Sequence, residues 1–228
     1  NELASAEYKH IVPLAENFPR DKLRKWLANP DFTNPRLGMF SLLLGLCGSD
    51  EDAQLLARHI ATPTKEFRLG IDGMIAGYLL LTGEKGLDFI DDKKLKDTSG
   101  PTTELFSAMQ ALRFVWTYGD GRIKKERLKQ SMRILVDRAD LADIAITDLT
   151  RWKDWSIQNR LIKLYDHKDY QSDHVKRAIV SYTIVASRDL PKNAGTIPKH
   201  VVSARKHLET LRNKDPRIVR RVERVLPP

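Results

Sequence analysis

The sequence predicts an all-α protein, a right-handed α-α superhelix (an α-solenoid) of about five irregular helix pairs plus C-terminal helices. Three observations predict it. Arg36-Leu37-Gly38-Met39 and Arg68-Leu69-Gly70-Ile71 read as copies of each other, and the next glycine on each apolar run falls at the same offset, Gly45 and then Gly77. A helical segment recurring roughly every 32 to 37 residues marks a stacked array, in which no pair buries its own apolar face alone. Elsewhere apolar residues recur at helical spacing, and no segment reads as a strand. The 228 residues suffice for one elongated core, so 1–228 reads as a single domain. Its repeat core covers about 20–190 and its basic C-terminal helices about 196–226.

The elements follow from punctuation and periodicity. Leu23, Trp26 and Leu27 place a helix over 21–28, ended by Asn29-Pro30. Pro35 suits the first turn of a helix through Leu46, with Gly48 as its stop. Ala53, Leu56, Ala57 and Ile60 share one face of a helix over 50–61, and Thr62-Pro63-Thr64 makes the turn. From Lys65 to about Leu81 the chain is apolar almost all round, so this helix should be central; Thr82-Gly83 closes it. A short helix over 87–95 and a loop over 97–101 lead to a second long apolar helix over 103–118, ended by Gly119-Asp120-Gly121.

Residues 123–139 are amphipathic, with Leu128, Met132, Leu135, Val136 and Ala139 in one stripe. Helices over 141–152 and 157–165 follow, and Asp173 should cap a helix over 174–187. Residues 189–196, with Pro191 and Gly195, read as a flexible loop. Ile197, Val201, Ala204, Leu208 and Leu211 define the next helix. Asp215-Pro216 opens the last one, which packs Val219, Val222 and Leu226.

This pattern resembles HEAT-type repeats, which place a Pro or Asp near the turn between paired helices and an Arg early in the second. Pro30, Asp31 and Arg36 before Leu42-Leu43-Leu44-Gly45 are similar to it, as are Asp173 and Arg177 before Ala178-Ile179-Val180. Pro63 and Arg68 fit with Thr64 in the Asp position; Glu104 stands where a base is expected, so the Asp/Arg ladder should break there. The resemblance implies a binding scaffold and is nearly silent about function.

The longest apolar run, Met74 to Leu81, is far short of the roughly 20 residues of a membrane helix. The chain opens at Asn1 without a leader, which suggests a processed product or a piece of a longer protein, cytoplasmic or exported. Cys47 is single and sits in an apolar stretch, so it forms no internal disulfide and should be an inert thiol. The net charge is +9, and it is uneven. From Lys199 to Arg224 nine cations face three acids, which suits an anionic partner or a solvated helix face.

Candidate chemistry is sparse. There is no Walker motif, no His-Glu-x-x-His and no Gly-x-Ser-x-Gly, and no cofactor is expected. Gly70, Gly73 and Gly77 lie within an apolar helix and should allow close helix contact rather than cradle phosphate. In the polar run 166–174, His167, Asp169 and His174 are an outside candidate for Zn²⁺, though no ligand spacing is recognisable and Asp173 can be spent on a cap. His200 and His207 share one face among Lys199, Arg205 and Lys206, a basic stripe that gains charge below about pH 6.5.

Trp152, Asp154 and Trp155 admit two readings. Indoles can stack on bases beside an Asp acting as general base, and HEAT-like DNA glycosylases use such residues on a basic surface. Equally, two indoles three residues apart can anchor a helix junction. The expectation is a non-enzymatic scaffold for a protein or peptide, with Arg36, Arg68 and Arg113 on exposed positions of the second helices. The alternative is nucleic-acid binding through Lys199, Arg205, Lys206, Arg212, Arg217, Arg220, Arg221 and Arg224, with or without glycosylase chemistry.

Overall fold

The computed structural model describes residues 10, 12, 13, 15, 17–29, 36–62, 68–97, 100–191 and 196–226. The turn residues Pro30, Asp31, Pro35, Pro63 and Thr64, the helix start at Lys65, and Thr98, Ser99 and Gly195 lie outside them. Among the described residues the structure is all-helical, without strands. Where the sequence reading takes 1–228 as one domain, packing groups the chain into two compact units, Asn1–Ile134 and Leu135–Pro228.

The first unit contains α1 (Arg20–Ala28), α2 (Leu37–Cys47), α3 (Asp50–Ala61), α4 (Ile71–Ile90), α5 (Thr102–Tyr118) and α6 (Lys125–Ile134). As its apolar composition requires, α4 is central and packs against α2, α3 and α5. The contact between α2 and α4 is where the two sequence copies meet. A methyl group built on Gly77 would stand 2.1 Å from the Ser41 carbonyl oxygen, and one on Gly45 2.5 Å from the Gly77 Cα. Gly38 lies in the same way against Gly70 and Gly73. Residues 38 and 45 thus face 70 and 77 in the same order, so α2 and α4 run parallel, backbone against backbone. The glycines expected to permit close helix contact do so against α2.

The helices expected over 65–81 and 87–95 join in α4, with one residue out of helical geometry: Gly83, at φ 61° and ψ −140°. A π-helical turn over Asp91–Leu95 extends it. The bounds expected for α3 match, and its start is fixed by Ser49, whose N–H donates to Asp52 Oδ2 at 2.7 Å. Cys47 is half-buried, and burial pushes its thiol up, in keeping with an inert role.

Three carboxylates are almost wholly buried in this unit, and each is paired with arginine. Asp52 takes Arg24 from α1 at 2.6 and 2.9 Å. Glu104, in the first turn of α5, takes Arg68 at 2.9 and 2.6 Å and Lys94 at 2.9 Å. Asp91 takes Arg127 of α6 at 2.7 Å.

The second unit contains α7 (Ala142–Arg151), α8 (Gln158–Tyr165), α9 (Asp173–Arg188), α10 (Lys199–Lys214) and α11 (Pro216–Glu223). Short 3-10 turns precede α7, α8 and α9, at Leu135–Asp137, Trp155–Ile157 and Lys168–Tyr170. The helix expected over 123–139 therefore ends at Ile134 and tightens into the first of these turns. α9 is the hub, touching α7, α8, α10 and α11. Its cap is Ser172, whose Oγ accepts from the Val175 N–H at 3.3 Å; Asp173, expected as the cap, is instead the first helical residue. Asp215 caps α11 as expected, accepting from the Ile218 N–H at 3.3 Å.

Two predictions follow from the packing. Gly77→Ala should cost about 3 kcal/mol or more, because backbone cannot give way to a methyl group at that distance. Gly121→Ala, with open space around it and φ +74°, should cost only about 1 kcal/mol of backbone strain. Thermal melts of both variants measure the contrast. Burial pushes the Glu104 carboxyl up, but the hydrogen bonds from Arg68 and Lys94 outweigh it and hold the group below its ordinary value. Its contribution is present above about pH 4.5 and is lost as pH falls through the lowered folded value. Glu104→Gln should cost about 3 kcal/mol at pH 7, roughly 6 to 12 °C in Tm, and flatten the acid limb of a Tm-against-pH curve.

Candidate functional site

Arg68, expected on an exposed face, is engaged inside the first unit. Besides Glu104 its guanidinium donates to the His59 and Ile60 carbonyls at 2.5 and 3.4 Å, the last turn of α3. It therefore satisfies the free carbonyl end of α3 and joins it to the N-terminus of α5. Glu104, which stands where the resemblance expects a base, is here ion-paired with Arg68. Arg36 is exposed at the N-cap of α2. Arg113 is half-buried and donates to Gln110 one turn earlier on α5.

Trp152 and Asp154 lie inside the second unit, at 8% and 2% exposure. The Asp154 carboxylate accepts from the Ser156 N–H at 3.2 Å and the Ser156 hydroxyl at 2.7 Å, capping the 3-10 turn. Its backbone carbonyl accepts from the Tyr182 hydroxyl. This is a helix-junction anchor, not an open general base, and it corrects the glycosylase-like reading of these two residues. Trp155 is partly buried. Its indole N–H donates to Asp189 Oδ2 at 2.6 Å, and its ring meets Tyr182 edge-on at 5.1 Å and stacks on His200 at 6.1 Å. Lys153 pairs with the other Asp189 oxygen at 2.6 Å. Burial pushes the Asp189 carboxyl up, but Lys153 and the Trp155 N–H outweigh it and hold it below its ordinary value. The sequence reading assigned Asp189 to a loop and missed this grip; nothing local to residue 189 signals it.

Much of the polar run 166–174 is engaged within the second unit, Asp166 with Lys214 among others. His167 Nδ1 accepts from the Asp169 N–H at 3.3 Å, and its ring meets Tyr170 edge-on at 5.6 Å. Tyr170 donates to the Val136 carbonyl at 3.1 Å. Among the described residues no three His, Cys, Asp or Glu converge on a point where a metal could sit. His200 and His207 are half-buried rather than on the surface. His207 bonds Asn159 Oδ1 at 2.9 Å, and burial holds its ring below its ordinary value.

The C-terminal cations are different. All eight named basic residues are exposed. α10 turns Val201, Ala204, Leu208 and Leu211 inward, and α11 turns Val219 and Val222 inward. On the opposite side of α11, Arg217, Arg220 and Arg221, with Arg224 at the C-cap, stand at positions i, i+3, i+4 and i+7 and share one face. Arg212 is tied to Glu223 at 2.7 Å, and Arg221 lies 3.9 Å from Asp173. Among the described residues, Lys199, Arg205, Lys206, Arg217, Arg220 and Arg224 have no ion-pair partner. Also among the described residues, no helix is long and apolar enough to cross a membrane.

Compared with family profiles, curated proteins and solved structures, the chain gives no match. The capping role of Asp154 predicts that Asp154→Ala costs about 1 kcal/mol, whereas Asp154→Asn, an equally good cap, costs little. Thermal melts of the two variants distinguish this from a catalytic carboxylate, which would show no such stability pattern.

Proposed function

We propose that this chain is a non-enzymatic helical binding module, a HEAT-like scaffold in architecture, whose partner presents a dense negative surface. The supporting observation is the set of exposed cations on α10 and α11, six of them without an ion-pair partner among the described residues. Arg24, Arg68 and Arg127 are spent on buried carboxylates; these six face water. Such a field raises the encounter rate with an opposite charge and sets orientation. The scaffold reading makes the partner a protein or peptide with an acidic face. A second reading, nucleic acid, is favoured by the composition of α11, whose cations are all arginine.

The test is the salt at which the full chain elutes from immobilised polyglutamate and from heparin. Replacing Arg217, Arg220, Arg221 and Arg224 together by Gln should lower it strongly on both. Replacing Lys22, Lys25, Lys93 and Lys163 by Gln removes the same charge from exposed positions elsewhere and should change it little. Equal losses for the two variants would reduce the effect to mere net charge and overturn the proposal.

A further inference from the structure

We infer that the arginine face formed by Arg217, Arg220, Arg221 and Arg224 on α11 and its C-cap is a seat for the phosphate backbone of a nucleic-acid duplex, read without base contacts. The inference rests on the anionic-partner reading and names the partner. Arg217 to Arg224 spans seven residues, about 10 Å of helix axis. A duplex carries one phosphate per roughly 1.7 Å of axis, about six over that length. An extended acidic peptide supplies about three carboxylates over the same distance. Counted over both strands, the duplex therefore carries about twice the charge of an extended acidic peptide along the length of the four arginines.

The chemistry of the arginine face agrees. Guanidinium offers a planar fork that grips two phosphate oxygens at once, which a lysine ammonium cannot. The face is also held ready before binding. Asp215 caps α11, Pro216 sets its first turn, and the Tyr165 hydroxyl donates to Asp215 Oδ2 at 3.2 Å from α8. Few internal bonds need breaking: Arg217, Arg220 and Arg224 have no ion-pair partner among the described residues, and Arg221 is 3.9 Å from its acid. A lipid surface fits less well. A helix lying in a membrane inserts its apolar face, and α11 has already buried Val219 and Val222.

The experiment is fluorescence anisotropy of the full chain with labelled DNA duplexes of about 20 base pairs and unrelated sequences, titrated between about 50 and 200 mM salt. Duplexes of different sequence should bind alike. Arg217, Arg220, Arg221 and Arg224 together should contribute about −3.6 to the slope of log K against log salt, and the quadruple Gln variant should lose that contribution. The quadruple Lys variant should keep the slope but bind several-fold more weakly, which a purely structural role would not produce. Circular dichroism melts confirm that each variant folds. Labelled polyglutamate and vesicles rich in phosphatidylserine are the competing probes. No duplex binding at about 50 mM salt with polyglutamate bound overturns this inference and leaves the anionic-partner reading standing; loss of both overturns both. Tighter binding to the vesicles than to duplex, or an unchanged slope in the Gln variant, also overturns it.

Discussion

A carboxylate taken out of water must be given a cation, and the first unit is tied together where that requirement is met. Glu104 is 5% exposed and sits in the first turn of α5, where the helix dipole already favours an anion. Arg68 answers it with both arms of its fork and turns its remaining donors to the last carbonyls of α3. One side chain thus closes one helix, anchors another and fixes the segment that leads into α4. Arg24 with Asp52, and Arg127 with Asp91, meet the same requirement at α3 and at the π turn after α4. Such pairs add little net stability against an apolar replacement, but breaking one strands a buried charge. Their effect is to dictate which helix ends meet.

Between those braces the packing is set by absence of side chains. Glycine is a poor helix residue, and α2 and α4 carry several. The cost is offset because Gly45 and Gly77 bring two backbones into contact along a parallel seam. A larger residue at either position would have to move main chain, which close-packed interiors resist. The repeated Arg-Leu-Gly segment is therefore a structural device twice over: its arginine at 68 braces and its glycines pack.

Much of this architecture was legible. The α3 bounds, the Asp215-Pro216 start of α11, the break at Gly83 and the use of the glycines all follow from local chemistry that sequence displays. What was not legible depends on residues far apart in the chain. Glu104 reads as a misplaced acid until Arg68, 36 positions earlier, is seen to hold it. Asp154 and Arg217 are equally polar in sequence, and only burial separates a cap enclosed by Ser156 and Tyr182 from a cation facing water. The same holds for His207, which periodicity placed on a charged stripe and packing places against Asn159.

Arg24, Arg68 and Arg127 are consumed by interior acids, whereas Arg217, Arg220 and Arg224 face water without an ion-pair partner among the described residues, and the functional account depends on the latter. Hydrogen–deuterium exchange of the full chain, with and without a DNA duplex, addresses this most directly. The account predicts slowed exchange confined to peptides covering 199–224. Slowing centred on the α2–α5 segment, or none in α11 while duplex is bound, would contradict it.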